Sequence, residues 1–525
     1  GNVGVDTDRI GYDGRRRKMN ALFAAQHGKA LSAEESPYDF TVKTLNPNYR
    51  FFDEDRYFIS LPVLAQELNG RADDLLGPIT FNFKDLGDIT VAPLICEDSW
   101  EDNYSLSPAD CIRRTADRQG QHIDAYINIS ASPFTLGKNE RRHRQFGAKA
   151  KELQTPMVYV NAVSLQNNGK SICTFDGQST VYNPDGTVAM SIPAYEATVR
   201  PVQLKKEGNG PYAIAPDDQE PPAVKSETEQ IFHALSFGLN RFLRQCHLDK
   251  VVIGVSGGID SALVAAMAAD ACGGHNVHGI SMPSMYSSIG SKDDAADLAA
   301  NIGAHYDVQP IEPMFNVYQG QLKLEGVAAE NLQARIRGVI VMAYSNSLGL
   351  LAVATGNKSE LACGYSTIYG DAVGGYAPIK DLLKTRVWEL SRWRNRAAAA
   401  GVGIGGLRIV GNENGDAGTP LPGGVMIPVS SIEKAPSAEL RPGQKDSDSL
   451  PEYELLDKVL AAYIEHAHGR ADLLADGFDE KTVDTVMRLV DRAEWKRRQY
   501  PLGPKVTALA FGRDRRLPVT NAFRE

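Results

Sequence analysis

The segment from 251 to 271 constrains the fold of this chain more than any other. The apolar run VVIGV at 251–255 leads directly into SGGIDS at 256–261, and an alanine-rich stretch continues to 271. Such a run predicts a buried strand, and the alanine-rich stretch predicts a helix. A second strand near 277–282 and a helix at 293–302 repeat this order. Strand and helix alternating at this spacing predict a parallel, doubly wound sheet.

The glycine-rich turn inside this segment is a candidate phosphate-binding loop. Two glycines allow a tight turn that brings backbone N–H groups close to an anion, and the helix N-terminus adds a partial positive charge. Ser256 and Ser261 offer hydroxyl donors, and Asp260 can hold a magnesium ion that bridges phosphates. The Walker pattern G-x-x-x-x-G-K-[ST] is absent. The alternative is an ordinary strand-to-helix turn capped by Asp or Ser.

At 525 residues, the chain is long enough for two domains. Before residue 200, apolar runs at 89–95, 125–129 and 157–161 predict strands, and the polar segment 138–153 predicts a helix. We therefore predict a layered α/β domain over 1–204 and a second α/β domain over 227–525. The charged, Pro- and Gly-containing segment 205–226 is predicted to be a linker.

Composition narrows the possible partners and the compartment. The net charge of −9 argues against a nucleic-acid backbone as the main partner. No run of 18 apolar residues occurs, which excludes a membrane span. The six cysteines form no C-x-x-C pair, so neither a disulfide framework nor a zinc site is expected. These features favour the cytoplasm.

The loop at 256–261 resembles that of the ATP pyrophosphatases, which cleave ATP to AMP and pyrophosphate while adenylating an oxygen. Downstream segments narrow the resemblance to the NAD synthetase family, and they occur in order at 282–288, 330–337, 355–360, 364–371, 380–385 and 434–440. Similarity to that family extends over nearly all of 227–525. It implies ATP-dependent amidation of deamido-NAD, with Mg²⁺ accompanying ATP.

The resemblance also implies roles for individual residues. ATP would be bound by Gly254, Val255, Ser256, Gly257, Gly258, Ile259, Asp260, Ser261, Thr355, Lys384 and Ser437. Deamido-NAD would be bound by Asn331, Glu360, Tyr365 and Lys505. Asp260 and Glu360 would hold the magnesium ion, and Lys384 would neutralise charge on pyrophosphate. Family synthetase domains pair, so a homo-oligomer is expected, either a dimer or an octamer.

The first domain contains a candidate nucleophile, Cys96, in the sequence LICEDSW at the end of a predicted strand. A cysteine attacks an amide well once a nearby cation lowers its pKa and a base takes its proton. This domain resembles the nitrilase-type glutaminase of glutamine-dependent NAD synthetases, an α-β-β-α sandwich that uses a Glu–Lys–Cys triad. Lys43 matches the triad lysine, which would stabilise the oxyanion. Tyr49, Ser132 and Lys138 match glutamine-binding positions.

No residue of 1–40 matches the triad glutamate, because Glu34 and Glu35 lie in a loop-like stretch. We therefore expect the sequence to lack an N-terminal segment that bears this base, with weak or absent use of glutamine and retained use of ammonia. The substrates would be deamido-NAD, ATP and L-glutamine. Two alternatives are another amidating or thiolating ATP pyrophosphatase, of the GMP-synthetase or tRNA-thiolating type, and a catalytically silent nucleotide-binding regulator.

Overall fold

The computed structural model describes residues 2–11, 13–85, 87–206, 212–214, 225–407 and 418–520. The chain divides into two compact units. The first contains Gly1–Pro133, Gly137–Ser164 and Phe175–Val224, and the second contains Phe134–Leu136, Leu165–Thr174 and Lys225–Glu525. No helix in these described parts is both long enough and apolar enough to cross a bilayer.

Up to residue 214 the chain is mainly β, with three α-helices among the described residues. The strands are β1 Asn2–Ile10, β2 Arg16–Leu22, β3 Ala24–Gln26, β4 Lys29–Leu31, β5 Thr41–Val42, β6 Ile79–Phe83, β7 Gly87–Ile95, β8 Ala125–Ser130, β9 Met157–Asn161, β10 Val163–Asn168, β11 Ser171–Asp176, β12 Thr180–Tyr182, β13 Val188–Ser191, β14 Leu204–Lys206 and β15 Tyr212–Ile214. The helices are α1 Leu61–Glu67, α2 Pro108–Gln119 and α3 Lys138–Leu153.

The main sheet of the first unit is mixed. Its strand order is β13-β12-β9-β8-β7-β6, in which β7, β8 and β9 run parallel and the outer strands run antiparallel. A separate sheet has the order β1-β2-β5. Helix α2 begins where Ser107 accepts the Asp110 N–H and ends at Gly120 in the left-handed region, which are common start and stop signals.

The second unit is mainly helical around a small parallel sheet. Its strands are β16 Val251–Gly254, β17 Val277–Ser281, β18 His305–Val308, β19 Leu351–Val353 and β20 Gly503–Pro504. Its helices are α4 Glu227–Gln245, α5 Ile259–Cys272, α6 Ile289–Asn301, α7 Glu312–Leu322, α8 Val327–Leu348, α9 Lys358–Cys363, α10 Lys384–Ala399, α11 Val429–Glu433, α12 Tyr453–Leu460, α13 Arg470–Ala475, α14 Glu480–Arg492 and α15 Glu494–Arg497.

The sheet of the second unit has the order β18-β17-β16-β19, with every pair parallel. From β16 the chain adds β17 and β18 on one side of the sheet and β19 on the other. Open α/β sheets bind ligands at such a switch point, beyond the carboxyl ends of the strands. Helix α5 follows β16 and is buried on almost every side, because small alanine side chains allow close packing of neighbouring elements. The predicted doubly wound sheet is confirmed.

Local predictions compare closely with the observed elements. The predicted helix at 138–153 coincides with α3, and the predicted strands in 89–95, 125–129, 157–161 and 251–255 are β7, β8, β9 and β16. The predicted helix at 293–302 is α6, which begins four residues earlier because Ser288 caps it. The four strands β1 to β4, between residues 2 and 31, had not been predicted.

The predicted domain boundaries stay a prediction, although two features differ from them. The segment 205–226 contains part of an antiparallel hairpin, β14 with β15, where a linker had been predicted. Residues 165–174 group with the second unit, because β11 pairs with β20 through Ser171 and Ile172. The Gly-rich segment 401–426 follows α10 and forms turns where it is described, while residues 408–417 lie outside the described residues.

Candidate functional site

Cys96 lies directly after the end of β7, at the start of a short 3₁₀ turn, Cys96–Ser99. Its φ of 49° lies in the left-handed region, which is costly for a residue with a side chain. Cys96 is partly exposed, whereas Asp98 and Ser99, which follow it in the same turn, are buried. The amide of Asn128 donates to the Cys96 carbonyl oxygen at 3.1 Å. The backbone therefore presents the predicted nucleophile at a sharp, internally braced turn.

Lys43 follows β5 and is only 1% exposed. Its Nζ donates to Glu54 Oε2 at 2.6 Å. Burial alone lowers the pKa of Lys43, but the nearby Cys96 and Glu54 charges outweigh it and raise that pKa. Lys43 is therefore a cation that interacts electrostatically with Cys96. A positive charge at this place is what a tetrahedral oxyanion formed by attack of the cysteine requires.

Glu97 forms a second polar contact next to the cysteine. Its carboxylate accepts hydrogen bonds from the hydroxyls of Tyr49 and Tyr104, each at 3.0 Å. Burial raises the pKa of Glu97, and the two tyrosines and Lys43 only partly oppose it. The aromatic ring of Tyr49 remains half-exposed, so the predicted glutamine-binding residue lies at an open edge of this centre.

Ser132 is held by hydrogen bonds at its backbone. Its N–H donates to Asn161 Oδ1 at 2.8 Å, and its carbonyl oxygen accepts from the Arg142 guanidinium at 3.0 Å. Arg142 in turn forms a buried pair with Asp176 at 2.8 Å. The remaining predicted residue, Lys138, has its Nζ 5.6 Å from the Trp100 ring centroid, and burial lowers its pKa to about 8.

In the second unit, the predicted phosphate loop borders a cavity of about 310 Å³ at the C-terminal end of β16. Ser261 Oγ donates to the Gly258 carbonyl oxygen at 3.0 Å, and Ser256 Oγ accepts the Gly258 N–H at 3.2 Å. Gly257 has a φ of 76°, and a Cβ there would overlap the Ser291 carbonyl oxygen, so glycine is required. The loop is thus pre-shaped before any anion binds.

Most predicted nucleotide-binding side chains border this cavity. Of the predicted set, its lining contains Gly254, Val255, Ser256, Gly258, Ile259, Asp260, Ser261, Thr355, Glu360, Tyr365, Lys384 and Ser437. Lys384 comes from the first turn of α10 and forms an ion pair with Asp260, although these residues are far apart in sequence. The structure therefore brings the loop, the lysine and Ser437 together around one cavity.

Asp260 and Glu360 fit a magnesium site. Lys384 Nζ contacts Asp260 and lies 3.9 Å from Glu360 Oε1, so both carboxylates share one cation. Burial raises the pKa of Glu360 well above its ordinary value, and the Asp260 charge adds to that shift. Across the described residues, no three His, Cys, Asp or Glu side chains form a cluster that could hold a metal. Two carboxylates supplemented by phosphate oxygens suit Mg²⁺.

A second cavity of about 370 Å³ contains Asn331. Its other lining residues are Arg335, Ser366, Thr367, Ile368, Tyr369, Trp495, Lys496 and Gln499. Asn331 Oδ1 accepts from Thr367 Oγ1 at 2.7 Å, which fixes the orientation of its amide. The motif at 364–371 contributes residues to both cavities, so a ligand with two ends can contact it on two sides.

Of the residues predicted to bind ATP or deamido-NAD, Gly257 and Lys505 line neither of these two cavities. Lys505 is 2% exposed, and its Nζ donates to the carbonyl oxygens of Thr507 and Ala508, each at 2.9 Å, and to Asp514. Within this chain, Lys505 therefore stabilises the C-terminal segment.

Several polar residues of these centres had not been assigned a role from sequence. Glu97 lies within the recognised sequence LICEDSW and Glu54 follows Tyr49 by five residues, but nothing in the local pattern indicated the partners of either carboxylate. Arg337 and Asp446 also border the nucleotide cavity. Burial lowers the pKa of Arg337 to about 10, and its Nε donates to the Met282 carbonyl oxygen at 3.0 Å. For Glu97 and Arg337 the available signal was their position inside a recognised motif, which does not indicate where the side chain points.

Comparison with known proteins gives consistent results over the whole chain. The NAD synthase family matches residues 231–500. The glutamine-dependent NAD(+) synthetase of Rhodobacter capsulatus is 41% identical over 455 residues, covering 86% of this chain and 76% of that protein. The Thermotoga maritima protein of the same name is 36% identical and aligns over 100% of this chain and 86% of its own.

Solved structures agree with these sequence matches. A glutamine-dependent NAD+ synthetase from Acinetobacter baumannii, solved in complex with ADP, superimposes with a TM-score of 0.64 at 32% identity, over 99% of this chain and 84% of its own. A Cytophaga hutchinsonii enzyme of that name has a TM-score of 0.68 at 18% identity, over the same shares of the two chains, and supports the fold alone. The predicted fold class, a nitrilase-like sandwich followed by a doubly wound synthetase domain, is confirmed.

Proposed function

The chain belongs to the family of glutamine-dependent NAD(+) synthetases, and from that premise we propose how its residues divide the reaction. Enzymes of this family are ligases that amidate deamido-NAD to NAD with ATP and with nitrogen from glutamine, and this chain is one of them. The observation that carries the proposed division is the presence of a cysteine–lysine centre in one unit and a phosphate loop in the other.

In the first unit, Cys96 would attack the side-chain amide carbon of glutamine and release ammonia. The Lys43 ammonium would stabilise the oxyanion of the tetrahedral intermediate, and Glu54 would hold that ammonium in position at 2.6 Å. Tyr49, Ser132 and Lys138 would bind glutamine. Support comes from the electrostatic interaction of Cys96 with both Lys43 and Lys138.

In the second unit, the loop at 256–261 would bind the phosphates of ATP, with Thr355 and Ser437 contacting the nucleotide. Lys384 would neutralise charge on the departing pyrophosphate. Mg²⁺, when bound by Asp260 and Glu360, supplies Lewis-acid stabilisation of the phosphate charge. The Asp260–Lys384 ion pair supports this, since a cation bound by Asp260 would free Lys384 to face the phosphates.

Deamido-NAD would lie along the motif at 364–371, with Asn331 at one end and Tyr365 and Glu360 at the other. The two cavities of about 370 and 310 Å³ that share this motif support the proposal. Ammonia would then displace AMP from the activated carboxylate. Lys505 is buried within its own segment, so a direct contact with the dinucleotide would require that segment to rearrange.

Separate loss of the two activities tests the proposed division. Whatever NAD formation the unchanged chain supports with glutamine is expected to be lost in Cys96→Ala, while ammonium chloride still supports synthesis. Asp260→Ala is expected to abolish both, because no adenylate forms. NAD would be measured enzymatically and pyrophosphate release would be followed in parallel. Unchanged NAD synthesis by Asp260→Ala would show that the loop is not the site of ATP cleavage.

Magnesium binding has a test that is independent of turnover. Calorimetric titration of Mg²⁺ in the presence of a non-hydrolysable ATP analogue is expected to show at least tenfold weaker binding for Glu360→Gln than for the unchanged chain. Glu330→Gln provides a matched control, because that carboxylate does not border the nucleotide cavity. Equal Mg²⁺ affinities for the two variants would exclude Glu360 as a ligand.

We also propose that the chain forms a homo-oligomer, a dimer or an octamer, in the cytoplasm. One face of α7 carries four exposed apolar side chains, Met314, Val317, Tyr318 and Leu322. Phe315, on the same helix, is buried. Apolar side chains at this helical spacing commonly mark an interface. Val317→Asp is expected to shift the mass measured by light scattering toward the monomer. The six cysteines form no C-x-x-C pair in the sequence, and this spacing supports a reducing compartment.

A further inference from the structure

Asp98 is a buried carboxylate behind the cysteine turn, with 2% of its surface exposed. Both of its oxygens accept hydrogen bonds from backbone N–H groups. Oδ1 accepts from Thr44 at 3.1 Å and from Leu45 at 2.8 Å, while Oδ2 accepts from Ile95 at 3.0 Å. A carboxylate provides about four lone-pair sites, so it can satisfy three donors at once.

These donors belong to the two segments that carry the cysteine and the lysine of the glutaminase centre. Thr44 and Leu45 directly follow Lys43, and Ile95 directly precedes Cys96. The two segments belong to different sheets, because β5 lies in the sheet β1-β2-β5 and β7 lies in the mixed sheet. The Lys43 N–H itself bonds to Asn20, within the sheet of β5. The Asp98 carboxylate thus joins the two sheets where their reactive side chains meet.

We propose that Asp98 is a positioning residue for glutamine hydrolysis, which sets the Lys43 ammonium against the Cys96 thiol. The proposal rests on the glutaminase role of Cys96 and Lys43 given above. Asp98 acts on both partners, because its Oδ2 also braces the residue before the strained Cys96 backbone. Its hydrogen bonds go to the main chain next to both reactive residues, and its charge also interacts electrostatically with the Lys43 ammonium.

The chemistry requires this precision because Lys43 must meet an oxyanion that exists only in the transition state. A misplacement of about 1 Å in a catalytic group can reduce the rate about 100-fold. Asparagine cannot replace the carboxylate fully, since its amide nitrogen would point a donor at one of the N–H groups. The three hydrogen bonds therefore predict different effects for the asparagine and alanine variants.

The first test measures the reactivity of Cys96, which needs no turnover. Iodoacetamide alkylation of the Cys96 peptide would be followed by mass spectrometry from pH 6 to 10 in the full chain. Lys43→Met is the reference for a lost ammonium. Asp98→Ala is expected to move the pH of half-maximal alkylation rate in the same direction as Lys43→Met, with Asp98→Asn between it and the unchanged chain.

The matched control is Asp124→Ala. Asp124 is also buried, and it also accepts a backbone N–H of β7, from Thr90 at 2.8 Å, but near the middle of the strand, away from Cys96. Its alkylation profile is expected to equal that of the unchanged chain. Folding of the first unit in each variant would be checked by circular dichroism and thermal unfolding of the full chain, and ammonium-dependent NAD synthesis would report the integrity of the second unit.

The second test separates binding from chemistry. For glutamine hydrolysis, Asp98→Ala is expected to lower kcat about 10- to 100-fold while KM stays within about threefold, because Asp98 bonds to the backbones of Thr44, Leu45 and Ile95 and not to a predicted glutamine-binding side chain. An Asp98→Ala alkylation profile equal to that of the unchanged chain, beside a shifted Lys43→Met profile, would overturn the proposal. If Lys43→Met itself caused no shift, the glutaminase role assigned to Lys43 would fail instead.

Discussion

Asp270→Ala should destabilise the second unit strongly, because it would leave a buried guanidinium without its carboxylate partner. Asp270 lies on α5, the helix that follows the phosphate loop, and pairs with Arg394 on α10. Both side chains are 0% exposed, and the two hydrogen bonds between them measure 2.7 and 2.9 Å. Arg394 also donates to the carbonyl oxygens of Val402 and Gly403, so it cannot turn toward solvent without breaking four contacts.

The magnitude follows from this geometry. Removing one partner of a buried ion pair costs about 3–5 kcal/mol, since the other charge remains in a medium of low dielectric. The Asp270 carboxylate also accepts the Gly405 N–H at 3.0 Å, and the alanine variant loses that hydrogen bond. For a domain of this size, each kcal/mol lowers Tm by roughly 2–4 °C, so we expect a fall of roughly 6–20 °C.

Differential scanning calorimetry of the full chain would resolve the unfolding of this unit, and ammonium-dependent NAD synthesis would report its integrity at low temperature. The double variant Asp270→Leu with Arg394→Met replaces both charges by apolar groups and should be more stable than either single variant. The reasoning would be refuted if Asp270→Ala lowered the free energy of unfolding by less than about 1 kcal/mol. It would also be refuted if the destabilisation of the double variant equalled the sum of the destabilisations of the two single variants.

Three other predictions test different parts of the second unit. Burial lowers the pKa of His233 to about 3, so below pH 6.5 the folded state binds fewer protons than the unfolded state. The free energy of unfolding should therefore fall as the pH drops from about 6.5 toward 3. In urea unfolding experiments, His233→Gln should make that free energy depend less on pH. Gly257→Ala should abolish ATP binding measured by calorimetry, because its Cβ would overlap the Ser291 carbonyl oxygen, whereas Gly290→Ala, with open space around it, should bind normally. Trp495→Ala should raise KM for deamido-NAD and leave KM for ATP unchanged, since its half-exposed ring borders the second cavity alone.

Much of the candidate site could be predicted because its elements are local. The phosphate loop is a continuous hexapeptide between a strand and a helix, and Cys96 ends a strand with a clear apolar pattern. Side-chain partners across long sequence separations could not be predicted in this way. Lys384 meets Asp260, and Lys43 meets Glu54, because packed elements carry them together, which local periodicity does not encode.

The sequence by itself determined several of the strands and helices around the two reactive centres, the residue types at those centres and the family. These depend on short-range backbone preferences and on motifs that are contiguous in the chain. Only the tertiary structure decided that Asp98 links the Lys43 and Cys96 segments, that two cavities share the motif at 364–371, and that Lys505 is buried. The reason is that a buried polar group must find its partner wherever packing brings one, and that partner belongs to the fold rather than to the neighbouring sequence.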